Sequence, residues 1–202
     1  MYLWKRGFSR GDNVIYNWRK IVKHSIPLLT ICACIEIFAG QILQGDIKGE
    51  GKLILFPIFL ISIPVVNSVG GNIGSVLGAR LASGLHVGYI TLSIKDKKMH
   101  ENLLTSILMG VFVYLLLSII IYYSVSFGSV HTELKIGLID YTIVVVGAGV
   151  LLVCIISLVS VLTAFWSFKK GLDPDDTVAP VVTTVGDTLG ILILFLLIGV
   201  VV

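Results

Sequence analysis

The sequence predicts an all-α, polytopic membrane fold with five spans, on three observations. The 202 residues are 56% hydrophobic and only 13% charged, about half the roughly 25% charge of a soluble domain. Five stretches, roughly 25–44, 53–79, 102–127, 136–166 and 179–202, each supply the ~20 mostly apolar residues that cross a hydrocarbon core. These runs are continuously apolar, whereas barrel strands alternate, so backbone groups that lipid cannot satisfy are met here by helices. The length suits one bundle and not two domains.

Residues 1–23 mix Trp4, Phe8, Tyr16 and Trp18 with six cations, Lys5, Arg6, Arg10, Arg19, Lys20 and Lys23. They read either as an amphipathic helix on an anionic membrane surface or as a basic tail that only enforces topology. They lack the apolar run and small-residue site of a cleavable signal peptide. Residues 24–202 then form one five-helix domain. Its first span carries an acid, Glu36, with Gln41 nearby. The second is long and interrupted by Pro57, Pro64 and a glycine cluster. The third qualifies on hydropathy and length. The fourth is also long, and is expected to tilt or to extend past the bilayer. The fifth contains Asp187, with no Lys or Arg between it and the C-terminus.

Cation placement sets the orientation. Besides the six in the tail, Arg80, Lys95, Lys97 and Lys98 lie in the 80–101 connection and Lys169 and Lys170 in the 167–178 connection, against only Lys48, Lys52 and Lys135 on the other side. The positive-inside rule then puts the N-terminus in the cytoplasm and the C-terminus outside. The basic residues flank apolar segments without an aromatic-interleaved patch, which argues against nucleic-acid binding. Cys32, Cys34 and Cys154 sit in apolar runs without a CxxC pair and read as small buried hydrophobes. His24, His86, His100 and His131 fall at span ends or in connections, without ligand spacing, and read as interfacial and solvated. No soluble regulatory module is expected at either end, and no nucleophile–base pair, phosphate loop or organic-cofactor motif points to an enzyme.

The residue that demands an explanation is Asp187, in "APVVTTVGDTLGILILF". An unpaired carboxylate in hydrocarbon costs at least ~2.5–3.5 kcal/mol, and such residues mark ion or proton pathways. At about 1.5 Å per residue from Pro180 it lies roughly 10 Å into the helix. Pro180, Thr183, Asp187, Gly190 and Leu194 recur at three- and four-residue steps and share a face, with Thr184 beside it. Oxygen donors of this kind suit a hard cation such as Mg2+ or Ca2+; the alternative is a protonated Asp hydrogen-bonded across a helix interface.

In "PVVNSVGGNIGSVLGARLASG", Gly70, Gly74 and Gly78 fall four apart, with Ser75 and Ala79 alongside, a ridge for close helix packing. Asn67, Ser68 and Asn72 after Pro64 are not explained by packing. Here the expectation is a helix opened after the proline, with carbonyl oxygens turned inward to complete a cation's shell. In "GLDPDDTVAP", Asp173 is an N-cap followed by Pro174 at the first helical position, with Asp175 and Asp176 in the first turn. The same acids could also gather cations at a pore mouth. Glu36 faces the same interior or bonds across to another helix.

"GGNIGSVLGARLASG" in the second span and "DP" followed by "APVVTTVGDTLG" in the fifth resemble the transmembrane domain of the MgtE family of magnesium transporters and channels. Order, five-span layout and motif spacing all match, and "ARLASGLHVG" is closer to the eukaryotic solute-carrier branch and its half-length relatives. The resemblance implies a multi-pass protein of the cell membrane, working as a homodimer or a pair with a related half, with the cation path between the halves and Mg2+ as transported ion. It implies that Asp187 is the central Mg2+ ligand, that Asp173 is the acid fourteen positions earlier at the cytoplasmic end, and that Gly71 and Asn72 line the pore. Pro180 and Thr183 match the residues preceding the aspartate. Gly70, Gly74, Asn67, Thr184 and Glu36 are expected to line or support the path. Where the bacterial pattern has Gln this chain has Val76, and the bacterial Mg2+-sensing domains are not in the sequence. The rival expectations are a proton- or sodium-coupled exchanger in which Asp187 and Glu36 titrate, and a non-transporting scaffold.

Overall fold

The computed structural model describes residues 18–48, 57–93, 96–127 and 136–201. They form five α-helices: α1 (Trp18–Lys48), α2 (Pro57–Val87), α3 (Lys97–Phe127), α4 (Leu138–Lys170) and α5 (Pro174–Val201). There is no strand among the described residues, and all five helices are long and apolar enough to cross a membrane. The expectations for residues 1–17, Lys52, Lys95, His131 and Lys135 lie outside the described residues, as does the start of the second predicted span. Of the predicted basic segment, 18–23 is continuous with α1.

The helices outrun the predicted spans because hydropathy misses turns that are polar yet packed. The second helix ends at Val87, eight residues past 79, and its extra turns bury Leu81, Ala82 and Leu85. It stops at Gly88, whose φ of 75° is open to glycine without strain. Tyr89 and Ile90 then donate their N–H groups to Gly84 O at 2.8 and 3.0 Å. The fourth helix ends the same way at Gly171 (φ 70°), where Gly171 N–H reaches Phe168 O and Leu172 N–H reaches Ser167 O, a Schellman-type closure. Asp173 caps α5 as expected, its Oδ1 accepting from Asp175 N–H at 3.0 Å.

Asp96 does the same for α3 and ties down the preceding connection. Its Oδ1 accepts from the N–H groups of Lys98 and Met99, and its Oδ2 from the Thr91 hydroxyl and N–H at 2.7 and 2.8 Å. These bonds, Thr91's hydroxyl foremost, hold the carboxyl down to about 2 from its usual 3.8. A depressed carboxyl stabilises the fold above its unfolded value and loses that effect as pH falls through the folded one. Asp96→Ala is therefore expected to melt below the wild type at neutral pH, the gap closing between about pH 4 and pH 2 in melts across a pH series.

α2 is the centre of the bundle. It packs on α5, α4 and α3, while α4 also packs on α3 and α5, and α1 packs on α5 alone among the described helices. The glycine ridge makes these approaches possible. A Cβ on Gly70 would sit 2.8 Å from Leu152 Cδ2, one on Gly74 would overlap Ile156, and one on Gly78 would overlap Val178. Across the core, Tyr114 donates its hydroxyl to Val66 O at 2.7 Å and Ser160 donates to Gly74 O at 2.6 Å.

Two expectations are corrected. The segment after Pro64 is not opened: α2 runs as one helix from Pro57 to Val87. Glycines 70, 74 and 78 hold it against α4 and α5 along its length, and that contact needs regular helical spacing. Burial of the cysteines holds for Cys32 only; Cys34 and Cys154 are exposed on the chain, where the apolar helix exterior receives a thiol as readily as the core does.

Candidate functional site

α2 and α5 diverge just enough to leave an open groove of about 440 Å3 between them, lined by Ile63, Pro64, Asn67, Ser68, Gly71 and Asn72 from α2 and by Thr183 and Asp187 from α5. The two helices meet closely beneath it. A Cβ on Gly71 would lie 3.5 Å from Thr183 Cα, and one on Gly186 would lie 3.6 Å from Gly71 N. Small residues on both helices therefore bring the Asp187 carboxylate alongside the amide and hydroxyl oxygens of α2.

Asn67 is the link that sets this register. It is buried, and its Nδ2 donates to the backbone carbonyl of Asp187 at 3.1 Å. Its carboxamide occupies the space where a side chain at 190 would begin, so Gly190 is glycine to admit Asn67. Asn67 Oδ1 is buried without a hydrogen-bond partner among the described residues, an acceptor left beside the acid. Thr183 spends its hydroxyl proton on Ala179 O at 2.9 Å, which leaves its oxygen lone pairs for a cation or its water. The Gly71 carbonyl accepts from Ser75 Oγ at 2.8 Å, and Asn72 Nδ2 reaches Ser68 Oγ at 3.5 Å.

On the other side of α5, Thr184 is buried and donates to Glu36 Oε1 of α1 at 3.1 Å. Residues three apart on a helix are surface neighbours, so this bond sets the Glu36 carboxylate beside Asp187. Pro180 belongs to the same seam, its carbonyl 3.8 Å from Cys32 Sγ.

The predicted site residues thus divide. Asp187, Thr183, Asn67, Gly71 and Asn72 come together in the groove. Glu36, Thr184 and Pro180 form the α1–α5 seam. Gly70 packs on α4 and Gly74 on α4 and α5, and neither is among the residues lining the groove. Asp173 is remote, fourteen residues or about 21 Å along the chain axis from Asp187, and its Oδ1 lies 3.7 Å from His86 Nε2. That pairing was missed in the sequence: His86 is exposed as expected, but it also sets its ring edge-on to Phe168. Among the described residues no three His, Cys, Asp or Glu side chains converge on a metal position. A cation in the groove would meet the Asp187 carboxylate and neutral oxygens, with Glu36 held at the neighbouring seam, a donor set fitting an ion that keeps much of its water.

Five helices long and apolar enough to cross a membrane, two of them bordering a groove lined by Asp187 and neutral oxygens, define a multi-pass membrane protein. The model of the MgtE family, divalent cation transporters, matches residues 63–197, which takes in every groove residue, and the chain belongs to that family. No curated protein and no solved structure matches it.

Proposed function

We propose that this divalent cation transporter carries Mg2+ as a partly hydrated ion, through a path formed where two copies set their α2–α5 grooves face to face. The observation that carries this reading is the groove itself: a lone carboxylate, Asp187, among neutral oxygens in a cavity open on one side. Mg2+ demands octahedral oxygen coordination and gives up water reluctantly. One Asp187 from each copy supplies two anions to balance its charge, with Thr183, Asn72 and the Gly71 backbone bonding to its retained waters. Asn67 positions Asp187, and Asp173 with its neighbours draws cations to the cytoplasmic mouth. An N-terminus inside, with residues 1–23 on the inner surface, is supported by the twelve of fifteen cations that fall on that side. A single cysteine at exposed Ser68, in a chain freed of its native cysteines, is expected to crosslink two copies, with a yield that Mg2+ alters. Absence of crosslinking at Ser68 and at Thr183 alike would sink the face-to-face arrangement.

A second reading, exchange of Mg2+ for protons or sodium, is favoured by the Glu36–Thr184 bond, which puts a second carboxylate next to the first. Under it, Glu36→Gln removes the pH or Na+ dependence of Mg2+ flux into proteoliposomes while flux itself continues. Flux with the same pH and Na+ profile in wild type and variant leaves the channel reading in place.

A further inference from the structure

A different face of α2 borders a second cavity, of about 480 Å3, between α2, α3 and the connection after Gly88; Arg80, Ser83, Tyr89 and Asn102 supply its polar groups. A narrower one of about 170 Å3 shares Val76 and Arg80 with it and continues between α2 and α3 past Ile73 and Met109. Arg80 therefore stands where a largely apolar pocket with a few polar groups joins a narrower cleft. It lies seven residues, about 10 Å, before the end of α2, and Met109 lies twelve residues, about 18 Å, into α3. The cleft runs from the interface into hydrocarbon depth.

Arg80 is exposed and pairs with no carboxylate among the described residues. The acids nearby in sequence are engaged: Asp96 by Thr91 and the α3 N-terminus, Glu101 by Lys98 at 3.2 Å. Lys98 Nζ also lies over the Tyr89 ring, 5.4 Å from its centroid, adding positive charge to the rim. An unpaired guanidinium at this depth is costly unless it reaches an anion, and its fork matches phosphate oxygens. Basic pockets between membrane helices recognise phospholipid head groups on this principle.

We propose that this cleft binds an anionic phospholipid, Arg80 and the Ser83 and Tyr89 hydroxyls holding the phosphate while Ile73 and Met109 seat an acyl chain. The cleft meets the Asp187 groove at Asn72, which borders both, but the Arg80 end holds none of the groove's other residues and the proposal does not depend on the groove's function.

The test is the melting temperature of the purified protein in detergent with EDTA, titrated with phosphatidylglycerol, phosphatidylcholine or inorganic phosphate. Phosphatidylglycerol is expected to raise it and phosphatidylcholine is not. Arg80→Gln should weaken the phosphatidylglycerol response about tenfold or more, the scale of a lost charge-assisted hydrogen bond. Met109→Trp, which fills the cleft and keeps Arg80, should weaken the lipid response too, and it carries the test should Arg80→Gln fail to fold. An equal phosphatidylglycerol response in wild type and variants overturns the proposal, as does an equal response to phosphatidylcholine. A full shift with inorganic phosphate alone, insensitive to Met109→Trp, replaces the lipid with a free phosphate ion.

Discussion

Asp187→Asn is expected to abolish the Mg2+-dependent rise in melting temperature and to cut Mg2+ flux by well over about tenfold. A divalent ion about 4 Å from one carboxylate gains on the order of 8 kcal/mol at an effective dielectric near 20. Desolvation takes much of this back, yet only ~1.4 kcal/mol of net loss makes the tenfold change. In the wild type, metal at about one hundred times its dissociation constant stabilises the folded state by about 2.7 kcal/mol, or about 5–10 °C for a chain of this size. The substitution is isosteric, and the bond from Asn67 to the backbone carbonyl of residue 187 does not involve the exchanged atoms, so the groove should keep its shape. A wild type that does not shift with Mg2+ contradicts the proposed site. Equal shifts in both proteins would move the ion elsewhere, with the acids around Asp173 the next position to substitute.

The second large effect falls on the glycine ridge. Gly74→Val should reduce stability by about 1–3 kcal/mol or more, the cost of overpacking a filled core, and lower the yield of folded protein. Its first added atom overlaps Ile156 and comes 3.2 Å from Val182 Cβ, and the carbonyl of the same residue already accepts the Ser160 hydroxyl. α4 and α5 must both retreat. Gly40 in α1 supplies the contrast, since a Cβ there meets nothing within 4 Å. Gly40→Ala should leave the melting temperature unchanged or raise it slightly, as alanine is favoured over glycine inside helices by about 0.5–1 kcal/mol. Equal losses from both substitutions would mean that the close contacts of the glycine ridge do not decide stability.

The spans were legible in the sequence because hydrocarbon imposes a length and a composition that few other environments require. Helix ends were less so: Asp173–Pro174 announced the start of α5, but nothing in the hydropathy of 80–87 marks a packed helical turn. The glycines allowed both a tight ridge and an opened backbone, and only the neighbours, Ile156, Val178 and Val182, decide between them. Asp187, Thr183 and Asn72 could be picked as a polar set. That Gly190 is empty to admit Asn67 could not, because it depends on the register of two helices. The Glu36–Thr184 bond joins residues 148 positions apart, beyond the reach of any local pattern.

That last contact bears on how the protein is made. Among the described helices α1 packs only on α5, the one of the five that is translated after all the others. Until α5 enters the bilayer, α1 lacks that neighbour, and Glu36 is deprived of the Thr184 hydroxyl. Closure of the α1 seam thus waits for α5, and a chain truncated before Thr184 would leave α1 in lipid with an acid lacking that donor.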